Sequence, residues 1–168
     1  MKDNKGMSLI ELIVVLAISA VLVSITGVSI SVLGSSKMKA TGRLINQKMA
    51  ATRLTAMSRS GQYAVQFRKD GGKTYIETLK RASSSTAWTV SSKEEVDKRL
   101  TIKYTAGGTT REVDSNRVIF CFKKGSGGLY NCTNISGDDL GKPSKITVVK
   151  GDRTYDIQVS AVTGKTSH

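Results

Sequence analysis

Apolar residues are spread unevenly along the chain. Residues 7–33 form a nearly continuous Leu/Ile/Val/Ala run that carries a single charge, Glu11. As a helix rising about 1.5 Å per residue, this run spans roughly 40 Å. A bilayer core needs only about 20 residues, so the pattern predicts a transmembrane helix. No proline breaks it, because Pro143 is the only one in the chain. Gly27, among β-branched weak helix formers, is the expected place for the helix to loosen. The helical period continues through residues 34–60, where Met38, Ile45, Met49 and Ala56 share one face. Ala50, Leu54 and Met57 extend that face, which predicts an amphipathic helix lying on a sheet and stopped near Gly61.

From residue 61 the period changes from helix to strand. Tyr63, Val65 and Phe67 alternate with polar residues, Asp70-Gly71-Gly72 turns, and Tyr75, Glu77 and Leu79 continue as the partner. Ser92-Lys93-Glu94-Glu95 has the form of a capping box and predicts a short helical turn. Leu100, Ile102 and Tyr104 alternate, and Val118–Phe122 reads as a buried strand. Lys145–Val149, a turn at Gly151-Asp152, and Tyr155, Ile157 and Val159 predict a last hairpin. The expected fold class is α+β, one long N-terminal helix packed on an antiparallel sheet. The expected segments are 1–6, a short leader; 7–33, the transmembrane helix; 34–60, the amphipathic helix; and 61–168, the sheet.

Glu11 needs a reason, because a carboxylate inside a bilayer costs around 2.5–3.5 kcal/mol on insertion scales. An ordinary cleaved signal peptide has a shorter apolar run and a small-x-small cleavage site close behind it. A plain anchor leaves Glu11 unexplained. The arrangement Lys2-Asp3-Asn4-Lys5-Gly6, then Met7-Ser8-Leu9-Ile10-Glu11, then the apolar run resembles a type IV prepilin. Met7 stands where that family usually has Phe, and Ser8 where it usually has Thr. The resemblance implies cleavage between Gly6 and Met7 by prepilin peptidase, N-methylation of Met7, and a role for Glu11 in assembly. It also implies single-pass insertion in the cytoplasmic membrane, then an extracellular or periplasmic filament whose partners are other pilin or pseudopilin subunits. Beyond residue 40, the basic helix, first hairpin and closing hairpin resemble the GspH/FimT-like minor pilins and pseudopilins. The implied function is a structural, minor subunit of a type IV pilus or a type II secretion-like pseudopilus. The positive-inside rule opposes that orientation by one charge, Lys37, Lys39 and Arg43 against Lys2 and Lys5.

Charge adds a second reading. The net charge is +13, and loss of residues 1–6 would lower it by one. Lys37, Lys39, Arg43, Lys48, Arg53 and Arg59 follow one another with no acid between them. These are candidate contacts for DNA or another anion, and the alternative function is a DNA-binding minor pilin of an uptake system. Some FimT-like members bind DNA through a basic C-terminal tail, but here Gly164–His168 holds one Lys and no Arg. The other alternative is a membrane-anchored surface domain that never polymerises.

Enzymatic chemistry is not expected. The one histidine, His168, is the last residue. Glu94/Glu95 and Asp138/Asp139 are adjacent pairs, and neighbours do not share a face in a strand or a helix. Gly164-Lys165-Thr166 lacks the first glycine of a P-loop. No cofactor and no metal are expected. Calcium held by Asp138, Asp139 and Asn134, as in some pseudopilins, is the weaker alternative. Cys121 and Cys132 are expected to form a disulfide in an oxidising exterior, the alternative being two buried free thiols.

Overall fold

The computed structural model describes residues 9–167; within that range the side chains of 22–34 are not described. The leader 1–6, Met7 and His168 lie outside the described residues. The chain divides into two compact units, residues 1–36 and 37–168. The first helix, α1, runs Leu9–Ser58. Among the described residues no helix is long and apolar enough to cross a membrane. The described side chains of the expected span stop at Val21, so they cover only its first part.

Among the described residues the second unit holds eleven strands in two sheets rather than the single sheet expected. The first sheet has the order β3-β2-β1-β6-β7-β8, with β1 Gln62–Asp70, β2 Lys73–Arg81, β3 Thr89–Glu95, β6 Val118–Phe122, β7 Cys132–Thr133 and β8 Asp139–Gly141. The second has the order β11-β10-β9-β4-β5, with β4 Thr101–Ala106, β5 Thr109–Glu112, β9 Pro143–Lys150, β10 Arg153–Val159 and β11 Thr166–Ser167. Every pairing is antiparallel. Both expected hairpins are present, β1–β2 and β9–β10. The turn at Gly71-Gly72 uses two positive φ angles, the geometry that glycine adopts without steric cost.

One core joins the helix to both sheets. Met38, Ile45, Met49 and Ala56 of α1 are buried, as the periodicity predicted. They meet Val65, Phe67 and Phe120 of the first sheet and Ile102, Ile146 and Ile157 of the second. Phe67 and Tyr104 both stand edge-on to Phe120, at centroid distances of 5.5 and 6.5 Å, the arrangement that aromatic quadrupoles favour. Gly42 is buried because α1 passes so near β10 that a Cβ there would overlap the Tyr155 ring.

Two sequence expectations fail here. Leu54 is 60% exposed and Met57 and Ala50 are exposed too, so the apolar face is narrower than predicted. Thr52, not an apolar residue, takes the buried position between Met49 and Ala56. Residues 92–95 lie in β3, not in a helical turn, because Ser92 pairs with Thr78 and Glu94 with Ile76 across a full ladder. Ladder bonds to β2 satisfy the backbone groups that a capping box would have served.

Candidate functional site

The described side chains of the N-terminal unit from Leu9 to Val21 are nearly all apolar and exposed. Glu11 lies in the first turn of α1 and is exposed. Around it Leu9, Ile10, Leu12, Ile13, Val14, Val15, Leu16, Ile18 and Val21 are each about half to three-quarters exposed. A helix that is apolar all round is stable only inside lipid or against other apolar helices. Ser19, the polar residue next in line, turns its hydroxyl back to the carbonyl of Val15 at 2.7 Å. That satisfies the hydroxyl without water, a device suited to an apolar environment. Gly6 and Met7, the expected cleavage and methylation positions, lie outside the described residues.

The six basic candidates of α1 do not act as one surface. Lys37, Lys48 and Arg59 are eleven residues apart, three helical turns, so they share a face. Lys37 meets Asp97 at 3.0 Å, and Lys48 meets Ser92 Oγ at 2.9 Å and Glu94 at 3.4 Å. Arg53 donates through Nε to the Thr163 carbonyl at 2.6 Å. Lys39 and Arg43 are exposed elsewhere on the helix. Lys48 and Arg59 do converge, in a cleft of about 430 Å³ shared with Lys80 and lined by Thr52, Thr55 and Ser91. The sequence carries no signal for Lys80, because it reaches the cleft only through the β1–β2 ladder, opposite Tyr63.

Carboxylates in the second unit serve structure. Asp97 is held well below the usual carboxylate range, chiefly by the Arg99 side chain, then by the Arg99 backbone N–H and Lys37. Glu95 accepts from Lys73 at 3.1 Å, which raises the lysine's pKa. Asp138 and Asp139 accept from Asn134 and Asn131, each at 2.7 Å. Among the described residues no group of acidic, Cys or His side chains could hold a metal ion. Glu77, which sequence reasoning treated only as a strand residue, is a buried carboxylate bonded to Gln66 Nε2 and to Arg68 at 3.3 Å.

The expected disulfide is not formed: Cys121 and Cys132 are both free. Their strands are neighbours, but Ile119 pairs with Thr133, so Cys132 stands one place out of register with Cys121. One place in a strand turns a side chain to the other face. Cys132 accordingly lies in the main core, and Cys121 packs on the opposite face with Ala64, Leu79, Ile119 and Trp88. Burial pushes the Cys132 thiol up to about 12 and raises that of Cys121, so neither is a ready nucleophile.

Comparison with known proteins adds one finding. Residues 1–27 match the family model described as the prokaryotic N-terminal methylation motif, the type IV prepilin signature. No curated protein and no solved structure matches the chain. The motif covers the leader, Gly6, Met7, Glu11 and most of the apolar run, and does not extend into the two-sheet unit.

Proposed function

We propose that the protein is a structural subunit, a minor one, of a type IV pilus or a type II secretion-like pseudopilus, of the GspH/FimT-like kind. The match of residues 1–27 to the methylation motif carries this reading. Prepilin peptidase would cut after Gly6 and methylate Met7. Residues 7–33 would hold the subunit in the cytoplasmic membrane until it joins a filament. In the filament the exposed apolar side chains of 9–21 would pack against neighbouring helices, which explains why a helix start so apolar carries no core of its own. Glu11 would pair with the Met7 amine of a neighbour. Two unit charges about 4 Å apart attract by about 4 kcal/mol at an effective dielectric of about 20. That exceeds the insertion cost of the carboxylate and fixes axial register. Mass spectrometry of the protein from membranes tests the reading. The expected N-terminal peptide begins with N-methyl-Met7, and an intact leader or a different N-terminus would refute it.

A second reading, DNA capture by the same subunit, is supported by the cleft of Lys48, Arg59 and Lys80 and by the net charge of +13. The pairing of Lys37 and Lys48 with Asp97 and Glu94 weakens it. Duplex binding should then fall with salt at a slope of about −0.9 per phosphate contacted, and a flat dependence would exclude it.

A further inference from the structure

The outer face of the first sheet, turned away from the main core, is neither bare nor fully covered. Ala64, Leu79 and Ile119 form a small apolar floor there, with Trp88 and Cys121 packed on it. Two adjoining cavities of about 560 and 280 Å³ open over this floor and share Trp88, Ile119 and Ile135. Tyr130 and Ile135, at the rim, are about half exposed. The combined size suits a ligand of a few sugar rings, since small-molecule pockets run about 300–1,000 Å³.

The charges in this groove are unbalanced. The Arg81 guanidinium lies 4.1 Å from the centre of the Trp88 ring. Its Nε donates to Gln62 Oε1 at 2.7 Å and its Nη1 to the Ser84 carbonyl at 3.2 Å. It is thus fixed in place by an aromatic ring and two neutral acceptors, and among the described residues no carboxylate neutralises it. Arg117 lines the other cavity, also without an ion pair among the described residues, and its Nε is buried with no hydrogen-bond partner. It is the one described non-glycine residue with positive φ, +60°. Arg68, beside it, is already bonded to Glu77 and Asp70, so it balances the one acid of the groove. Asp138 and Asp139 are outside the lining, and hold Asn134 and Asn131 against the wall.

We propose that this groove binds an acidic saccharide, its sugar rings on the Trp88–Ile119 floor and its carboxylates on Arg81 and Arg117. A planar guanidinium held flat presents its remaining N–H groups to a carboxylate in the fork geometry that arginine favours. The rest of the rim is amide and hydroxyl, Gln62, Asn131, Thr133 and Ser136, which matches a ligand rich in hydroxyl groups. The Asn131 amide donates to Asp139, which fixes its orientation and leaves its Oδ1 and second N–H to the groove. A peptide strand fits less well, because the floor is the face of a sheet and not an open edge with backbone groups to pair. A nucleic acid strand would need a row of cations, and two uncompensated arginines do not supply one. The site lies wholly in the second unit and does not depend on processing or assembly of the N-terminal helix.

The test uses the full chain in non-ionic detergent. Trp88 is the only tryptophan, so its fluorescence reports on the groove directly. A mannuronate tetrasaccharide, its carboxyl-reduced counterpart, a tetra-aspartate peptide and an oligothymidylate would be titrated, with calorimetry in parallel. The uronate should bind saturably, at least about tenfold more tightly than the carboxyl-reduced form. Arg81→Gln and, separately, Arg117→Gln should remove that preference, while the melting temperature shows that each variant is folded. Arg81→Lys should not restore it, since an ammonium lacks the planar fork. Absence of saturable uronate binding would overturn the proposal. So would equal binding of tetra-aspartate or oligothymidylate, or a preference that survives both arginine variants.

Discussion

Gly42 is the position where two local rules disagree and the tertiary structure decides. Within a helix, Gly→Ala ordinarily stabilises by about 1 kcal/mol, because alanine loses less backbone entropy. At residue 42 the added Cβ would overlap two ring carbons of Tyr155 on β10. Either the ring leaves its half-buried place or α1 lifts from the second sheet. Inserting a methyl group into packed structure costs about 1–3 kcal/mol. With two ring atoms in the way, the upper half of that range applies, about 2–3 kcal/mol. Subtracting the helix gain leaves Gly42→Ala less stable by about 1–2 kcal/mol. For a unit of this size that lowers the melting temperature by about 3–10 °C. The assay is urea and thermal unfolding of residues 37–168, the compact unit that carries the contact. A double-mutant cycle separates the two terms. With Tyr155→Ala in place, Gly42→Ala should become stabilising, by up to about 1 kcal/mol. If Gly42→Ala alone raises stability, α1 does not approach β10 as closely as described and the reasoning fails.

Other outcomes follow from the same structure and from the proposed function. Glu11→Ala should still be cut after Gly6 but fail to enter filaments, whereas Gly6→Val should keep its leader; co-assembly of Glu11→Ala at wild-type levels, measured by immunoblot of sheared filaments, would remove Glu11 from recruitment. Exported protein should have the intact mass of two free thiols, with Cys132 alkylated only after denaturation because burial holds its pKa near 12; a mass lower by two hydrogens would restore the bridge. Asp97→Asn should lower the stability of the second unit at neutral pH. The folded-state pKa of Asp97 is depressed, so its contribution is complete above the ordinary carboxylate pKa and fades as pH falls. The difference between the two proteins should therefore narrow progressively as pH falls below the ordinary carboxylate pKa, and a difference of unchanged size between pH 7 and pH 2 would show that Asp97 acts other than by its charge.

What the sequence determined by itself was whatever repeats within a few residues. Leader, Gly6, Glu11 and apolar run sit within one short stretch, and a match to residues 1–27 found them there. The period of 3.6 placed Met38, Ile45, Met49 and Ala56 in the core, and the period of 2 located β1, β4 and β10. The short strands β7, β8 and β11 have only two or three residues each, too few to show any period. Their existence, and the division of the strands into two sheets, follow from pairings between residues far apart in sequence. Register decided the rest. One place of slip between β6 and β7 sent Cys121 and Cys132 to opposite faces, although each alone looked fit for a bridge. Strand β3 and the turn after it brought Glu94 and Asp97 to Lys48 and Lys37, converting two of the six basic residues of an apparently bare helix into ion pairs. Arg81, Trp88 and Arg117 came together on the outer sheet face from segments that share no local pattern. Periodicity reports which face of an element is buried; only the packed sheet decides what that face meets.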